Sequence, residues 1–179
     1  MGTADDTLVY TFLATGEPSA FDEIVRRHHA AIRSMLRRLC RDESLADDLA
    51  QETFVKALTR LDRYDGGDRL RSWLGGIAYR ELLMMLRRNR RVQRREEQAA
   101  LLQSDVSSAD ASFAERLDLD RALDLLPRAE RVAIVLNQAC GMSHAEIARA
   151  TGTPLGTVKT HIERARRMLH KTLSEGETR

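Results

Sequence analysis

The chain has 179 residues, of which 42% are hydrophobic and 31% charged, with a formal net charge of +2. That much apolar matter excludes wholesale disorder, and the length suits one ordinary domain or two small ones. The longest apolar runs, Leu82 to Leu86 and Val132 to Leu136, are far too short to cross a bilayer, and the first residues lack the basic and apolar segments of a secretory signal, so a cytoplasmic protein without membrane insertion is expected.

Aromatics are scarce at 4%, and Leu, Ala, Arg and Glu dominate, which favours helix over strand. Taken in chain order, Phe21, Ile24, Val25, His28, Ile32, Met35, Leu36 and Leu39 recur at three and four residues and mark one helix stripe. Ser44 is a good N-cap for a second helix, with Asp47 and Asp48 in its first turn and a stripe of Leu45, Leu49, Phe54 (or Val55), Leu58 and Leu61. Gly66 and Gly67 then break the pattern. A third helix carries Leu70, Trp73, Leu74, Ile77, Leu82 (or Ala78) and Leu86 into an arginine-dominated run from Arg87 to Arg95. Three such helices can close a small bundle over residues 1–95.

Residues 96–116 lack a sustained period and include QSDVSSADAS, the composition of a flexible, acidic connector. A second helical unit spans 117–179. Leu119, Ala122, Leu123 and Leu126 form a short stripe, Pro127 opens the next helix, and Val132, Ile134, Val135 and Leu136 are its body before a stop at Gly141. Ser143 and Glu146 have the spacing of a capping box. That short helix ends at Gly152, and Pro154 starts a longer one.

The segment MSHAEIARATGTPLGTVKTHIERARRML has the proportions of a helix-turn-helix, with Ala148, Val158 and Ile162 placed to pack its two helices together. The longer helix shows Thr157, Lys159, Thr160, His161, Glu163, Arg164, Arg166 and Arg167 on its outer face. Such a face fits the major groove, its first half reading base edges and its distal arginines neutralising phosphates. Glu163 could accept from a cytosine amino group or pair along the helix with Lys159 or Arg167.

This segment resembles region 4 of the sigma-70 family, in its extracytoplasmic-function (ECF) group. Upstream, LADDLAQETFVKAL is similar to region 2.2, and LRSWLGGIAYRELLMMLRRNRR to regions 2.3 and 2.4. Two matches in the right order cover nearly the whole chain. The resemblance implies an all-α protein of two small domains joined by a linker. It implies a transcription initiation factor that binds core RNA polymerase through the β′ clamp helices and the β flap, reads promoter DNA, and answers to an anti-sigma factor. Asp47, Asp48, Gln51, Glu52, Phe54 and Val55 would dock on polymerase, with Phe54 and Val55 adding apolar surface. Arg71, Trp73, Tyr79, Arg80, Arg87, Arg88 and Arg91 would bind and open the −10 element, although Trp73 also lies on the apolar stripe and suits core packing. The loop from Asp62 to Arg71 is the natural place for a flipped base, and the recognition-helix residues named above would read the −35 element. The acidic connector would thread polymerase channels or serve as a solvated tether.

The chain departs from the family at Arg80, where asparagine is usual, at Met84, commonly acidic, and at His161, where arginine is common. The first two departures bear on which −10 base is preferred. There is no P-loop, metal-spaced cluster or nucleophile arrangement, so neither an enzyme nor a cofactor is expected. Cys40 and Cys140 read as reduced, partly buried residues, and the adjacent His28 and His29 point to different helix faces. The alternatives are a dimeric helix-turn-helix regulator acting without polymerase and a helical adaptor for acidic proteins.

Overall fold

A computed structural model describes the backbone of residues 3–67, 69–99 and 117–176 and the side chains of 3–67, 69–90 and 119–174. The described residues are helical, with no strand among them: α1 (Ala4–Thr15), α2 (Pro18–Cys40), α3 (Glu43–Leu58), a 3-10 turn at Leu61–Arg63, α4 (Leu70–Ala99), α5 (Leu117–Asp124), α6 (Arg128–Cys140), α7 (His144–Thr151) and α8 (Leu155–Gly176). α4 covers the start of the expected connector, and residues 100–116 of that connector lie outside the described residues.

The expected stripe of α2 is the one that is buried: Ile24, Ile32, Met35 and Leu36 are fully enclosed, with Val25 and Leu39 packed at the edge. Each such side chain stabilises the fold by roughly 1.5–3 kcal/mol through loss of apolar surface to water. The helix starts at Pro18, where a missing N–H costs nothing, and ends with Arg41 in the left-handed region at φ 61°. α3 begins slightly earlier than Ser44 implies: Asp42 is the cap, its Oδ1 accepting from the Leu45 N–H at 2.9 Å. A buried Glu81 on α4 is paired with Lys56 of α3, which ties these two helices together.

α1 is an element that the sequence does not announce. Its apolar residues, Leu8, Val9, Tyr10, Phe12 and Leu13, surround the helix rather than forming a stripe, so periodicity is silent. A capping box between Thr3 and Asp6 starts it, and Phe12 packs its ring 5.5 Å from that of Phe21. Asp6 is buried and accepts a 2.9 Å hydrogen bond from the Tyr64 hydroxyl, which in turn accepts from the Arg69 N–H at 3.1 Å. The leading helix thereby fastens the loop between α3 and α4.

In the second unit α5, α6 and α7 pack around α8, with Leu136, Ile147, Val158, Ile162 and Ala165 at the centre. Leu119 departs from its expected stripe and stays 39% exposed. The two units are in contact: α6 lies against α2 and α4, α7 touches α4, and a single apolar core runs through both.

Candidate nucleic-acid interface

The helix-turn-helix forms as the sequence dictates. Ser143 and Glu146 exchange hydrogen bonds at 3.3 and 2.8 Å, closing the capping box that begins α7. Burial disfavours the Glu146 charge, but hydrogen bonds from Ser143 and Ser72, with Arg69 nearby, hold its carboxyl below the usual range. Gly152 takes φ 68°, which a side chain would resist, and turns the chain into α8. Val158, Ile162 and Ala165 face inward against Ile147 and Ala148.

That leaves Thr157, Lys159, Thr160, Glu163, Arg164, Arg166 and Arg167 exposed on α8. Among them Arg166 reaches Asn137 Oδ1 on α6 at 3.2 Å, so its guanidinium is partly engaged within the protein. His161 differs from its neighbours. It is half-buried, its Nδ1 has no hydrogen-bond partner among the described residues, and it lines a cavity of about 330 Å³ that also meets Tyr79. The ring is turned towards the body rather than fully outward.

On the N-terminal unit, Arg71, Arg80, Arg87 and Arg88 are exposed along α4, while the side chain of Arg91 lies outside the described residues. Trp73 is half-buried, its ring 5.9 Å from that of Tyr64. Tyr79 departs from the expectation of a DNA-facing ring: it is only 7% exposed, beneath the C-terminal unit, and that burial raises its hydroxyl pKa. The loop between α3 and α4 borders a cleft of about 550 Å³ where Arg60, Arg63, Arg80, Trp73 and, from α7, Arg149 converge. Cations and aromatic rings are the groups a single strand requires. Arg63 falls within the expected Asp62 to Arg71 loop, whereas Arg60 sits at the end of an apolar stripe, where no motif in the sequence singles it out.

On α3, Asp47, Asp48, Gln51 and Glu52 form an exposed acidic and amide face. Asp47 is held by Arg33 of α2, with one hydrogen bond at 3.1 Å, and this hydrogen bonding pulls its carboxyl pKa down. Glu52 pairs with Lys56 at 3.1 Å. Phe54 corrects the expectation of an apolar surface group: it is 5% exposed and stacks its ring 6.0 Å from His29. The apolar surface comes instead from Val55 and Leu58, 58% and 42% exposed.

A helical bundle with an acidic face and a cation-lined cleft, joined to a helix-turn-helix, defines a two-part DNA-binding protein. Its residues 24–92 match the family model for sigma-70 region 2, and residues 116–169 that for sigma-70 region 4. It is 34% identical to the RNA polymerase sigma factor NccH of Alcaligenes xylosoxydans xylosoxydans, with 92% of each chain covered. It is 32% identical to the ECF RNA polymerase sigma factor SigM of Mycobacterium tuberculosis over 88% of this chain and 79% of that protein. Among solved structures it resembles the sigma factor RpoE of Bartonella quintana in complex with the anti-sigma factor NepR, with a TM-score of 0.64, 29% identity and coverage of 86% of this chain and 96% of that one. The structure of CnrH bound to the cytosolic domain of CnrY superposes with a TM-score of 0.63 and 30% identity over 97% of this chain and 99% of the other. The chain belongs to the sigma-70 family, in its ECF group of RNA polymerase sigma factors. It is therefore a transcription initiation factor and not an enzyme, and the reading as a polymerase-independent dimeric regulator is set aside.

Proposed function

We propose that the two units divide promoter recognition between them while core polymerase holds both. Residues 1–95 dock on polymerase and engage the −10 element; 117–179 read the −35 element; 96–116 connect them. The observation that carries this division is the separation of surfaces. The acidic face of α3, with Val55 and Leu58 beside it, is a protein-binding surface on one helix, and the cationic edge of α4 and the outer face of α8 are DNA-binding surfaces on two others. Docking rests on Asp47, Asp48, Gln51, Glu52 and Val55, with Phe54 supporting the helix from inside. Binding to −10 DNA rests on Arg71, Arg80, Arg87 and Arg88, with Arg91 continuing the series in sequence and Trp73 at the cleft. The −35 contacts rest on Thr157, Lys159, Thr160, Glu163, Arg164 and Arg167.

An anti-sigma factor is the expected regulator, supported by the solved relative that is bound to the anti-sigma factor NepR. None of the described helices is long and apolar enough to cross a membrane, consistent with action in the cytoplasm beside polymerase. In vitro transcription with core polymerase on a genomic promoter library tests the reading: addition of the protein should create new start sites. The Asp48→Arg variant should bind core polymerase roughly tenfold more weakly, because a cation replaces an anion at a charge-matched surface. Undiminished capture of core enzyme by that variant would remove the docking assignment.

A further inference from the structure

The cavity of about 330 Å³ beside His161 has a size at the lower end of the range that small-molecule sites occupy. Val132 of α6, Ile147 of α7 and Val158 of α8 build its apolar wall, and Tyr79, Arg128 and His161 line the same space. Tyr79 comes from the second buried side of α4, where it lies with Ser72, which meets Glu146 of α7, and Gly75, which meets Cys140 of α6. Two of the polar groups are unmatched. Nδ1 of His161 is buried without a hydrogen-bond partner among the described residues, an uncommon state because an unpaired polar atom forfeits its hydration. Arg128 is the other. The α5 carboxylates among the described side chains are both taken: Asp120 accepts from Arg37 at 2.6 Å and from Arg38 at 3.2 Å, and Asp124 pairs with Arg41 at 2.6 Å and Arg131 at 3.6 Å. Arg128 has no carboxylate partner among the described residues, and its charge acts on the Tyr79 hydroxyl, lowering a pKa that burial raises.

We propose that this cavity binds a small organic acid with an apolar body and a hydroxyl group, its carboxylate held by Arg128. The guanidinium supplies a fixed charge and paired donors that match a carboxylate, and the Tyr79 hydroxyl adds a further donor. Val132, Ile147 and Val158 take the apolar body out of water. A hydroxyl on that body satisfies Nδ1 of His161 in either tautomer, since it can both donate and accept. An inorganic anion leaves the apolar wall unused, and a purely apolar molecule leaves the cation and the ring nitrogen unmatched. The cavity lies on the inner side of α8, so binding is measurable without DNA or polymerase.

The test is calorimetric titration of the full chain with 4-hydroxybenzoate, benzoate and benzamide, alongside the ring resonances of His161, assigned by their loss in His161→Asn. 4-Hydroxybenzoate should bind saturably at one site and raise the thermal midpoint, with benzoate weaker and the uncharged benzamide at least about tenfold weaker. Its binding should also shift the His161 resonances. Arg128→Gln should weaken both acids at least about tenfold while leaving benzamide unaffected. Ala129→Leu enlarges an exposed residue at the cavity and should abolish binding of all three probes. Circular dichroism equal to that of the parent shows that both variants are folded. Absence of saturable 4-hydroxybenzoate binding would overturn the site. Binding that survives Ala129→Leu and leaves the His161 resonances unmoved would do the same, and equal affinity for acid and amide would overturn the role of Arg128.

Discussion

Lys159 and Arg164 show how far a single side chain is specified by its place on a helix. Both are exposed on α8 while Val158, Ile162 and Ala165 are wholly enclosed, so the outer face is fixed by the inner one. Replacing either by alanine should weaken recognition of the upstream promoter element by ~1–3 kcal/mol for each base-edge hydrogen-bonding pair that is removed. Footprinting with polymerase present measures it, and unaltered protection would exclude α8 as the reader. His28 is a second residue whose surroundings decide its chemistry. Burial lowers its pKa from the ordinary 6.5, opposed by Asp5, whose carboxylate lies 2.9 Å from Nε2 and favours the charged ring; Arg71 and Arg27 lower it further. The fold therefore favours the neutral ring. Stability from this source is complete above pH 6.5 and declines below it, where the unfolded chain takes up a proton that the folded chain resists. His28→Gln should flatten the decline in urea midpoint between about pH 7.5 and about pH 5.5. Individual side chains are also where the sequence misleads. Phe54 and Val55 are neighbours, both apolar, and the pattern leaves their facing open; packing against His29 settles it by taking Phe54 inward.

Elements are legible where period and punctuation agree. The stripes of α2 and α4, the capping box of α7 and the glycine turn before α8 all follow from residue spacing, because each involves neighbours within one helix or across one short loop. α1 is illegible for the converse reason. Its value to the fold lies in Asp6 and Phe12 meeting residues from other elements, which no local window contains. The second buried side of α4 is equally hidden, since Ser72, Gly75 and Tyr79 carry no apolar signature of their own. Two substitutions probe elements directly. Ser143→Ala removes the side-chain partner of the Glu146 N–H and should cost about 1 kcal/mol, seen as a lower midpoint for the whole chain in denaturant. Lys56→Met leaves the buried Glu81 carboxylate without its cation; a loss of about 2–3 kcal/mol is expected, somewhat below the fully buried case because Lys56 is itself part-exposed. A midpoint equal to that of the parent would show that the pair contributes nothing to holding α3 on α4.

For the whole molecule, the sequence conveys two units and a connector but not that the units share a core. The family resemblance names their order and their partners; it does not foresee that Leu136 and Cys140 of one half join the same apolar cluster as Ile32 and Leu74 of the other. Calorimetry should accordingly show a single unfolding transition for the free chain, separating into two when Asp120→Arg loosens the junction. Two resolved transitions in the parent would contradict a shared core. Long reach is visible elsewhere too. Tyr64 is fastened to Asp6 across 58 residues of sequence, and Tyr64 supports the loop bordering the cation-lined cleft. The opening helix is thus a foundation for a distant edge of the protein. A bulky fusion placed just ahead of Thr3, or trimming by a protease there, would disturb that foundation before it disturbed anything nearby. Which promoters respond could then change although every DNA-facing side chain remained intact.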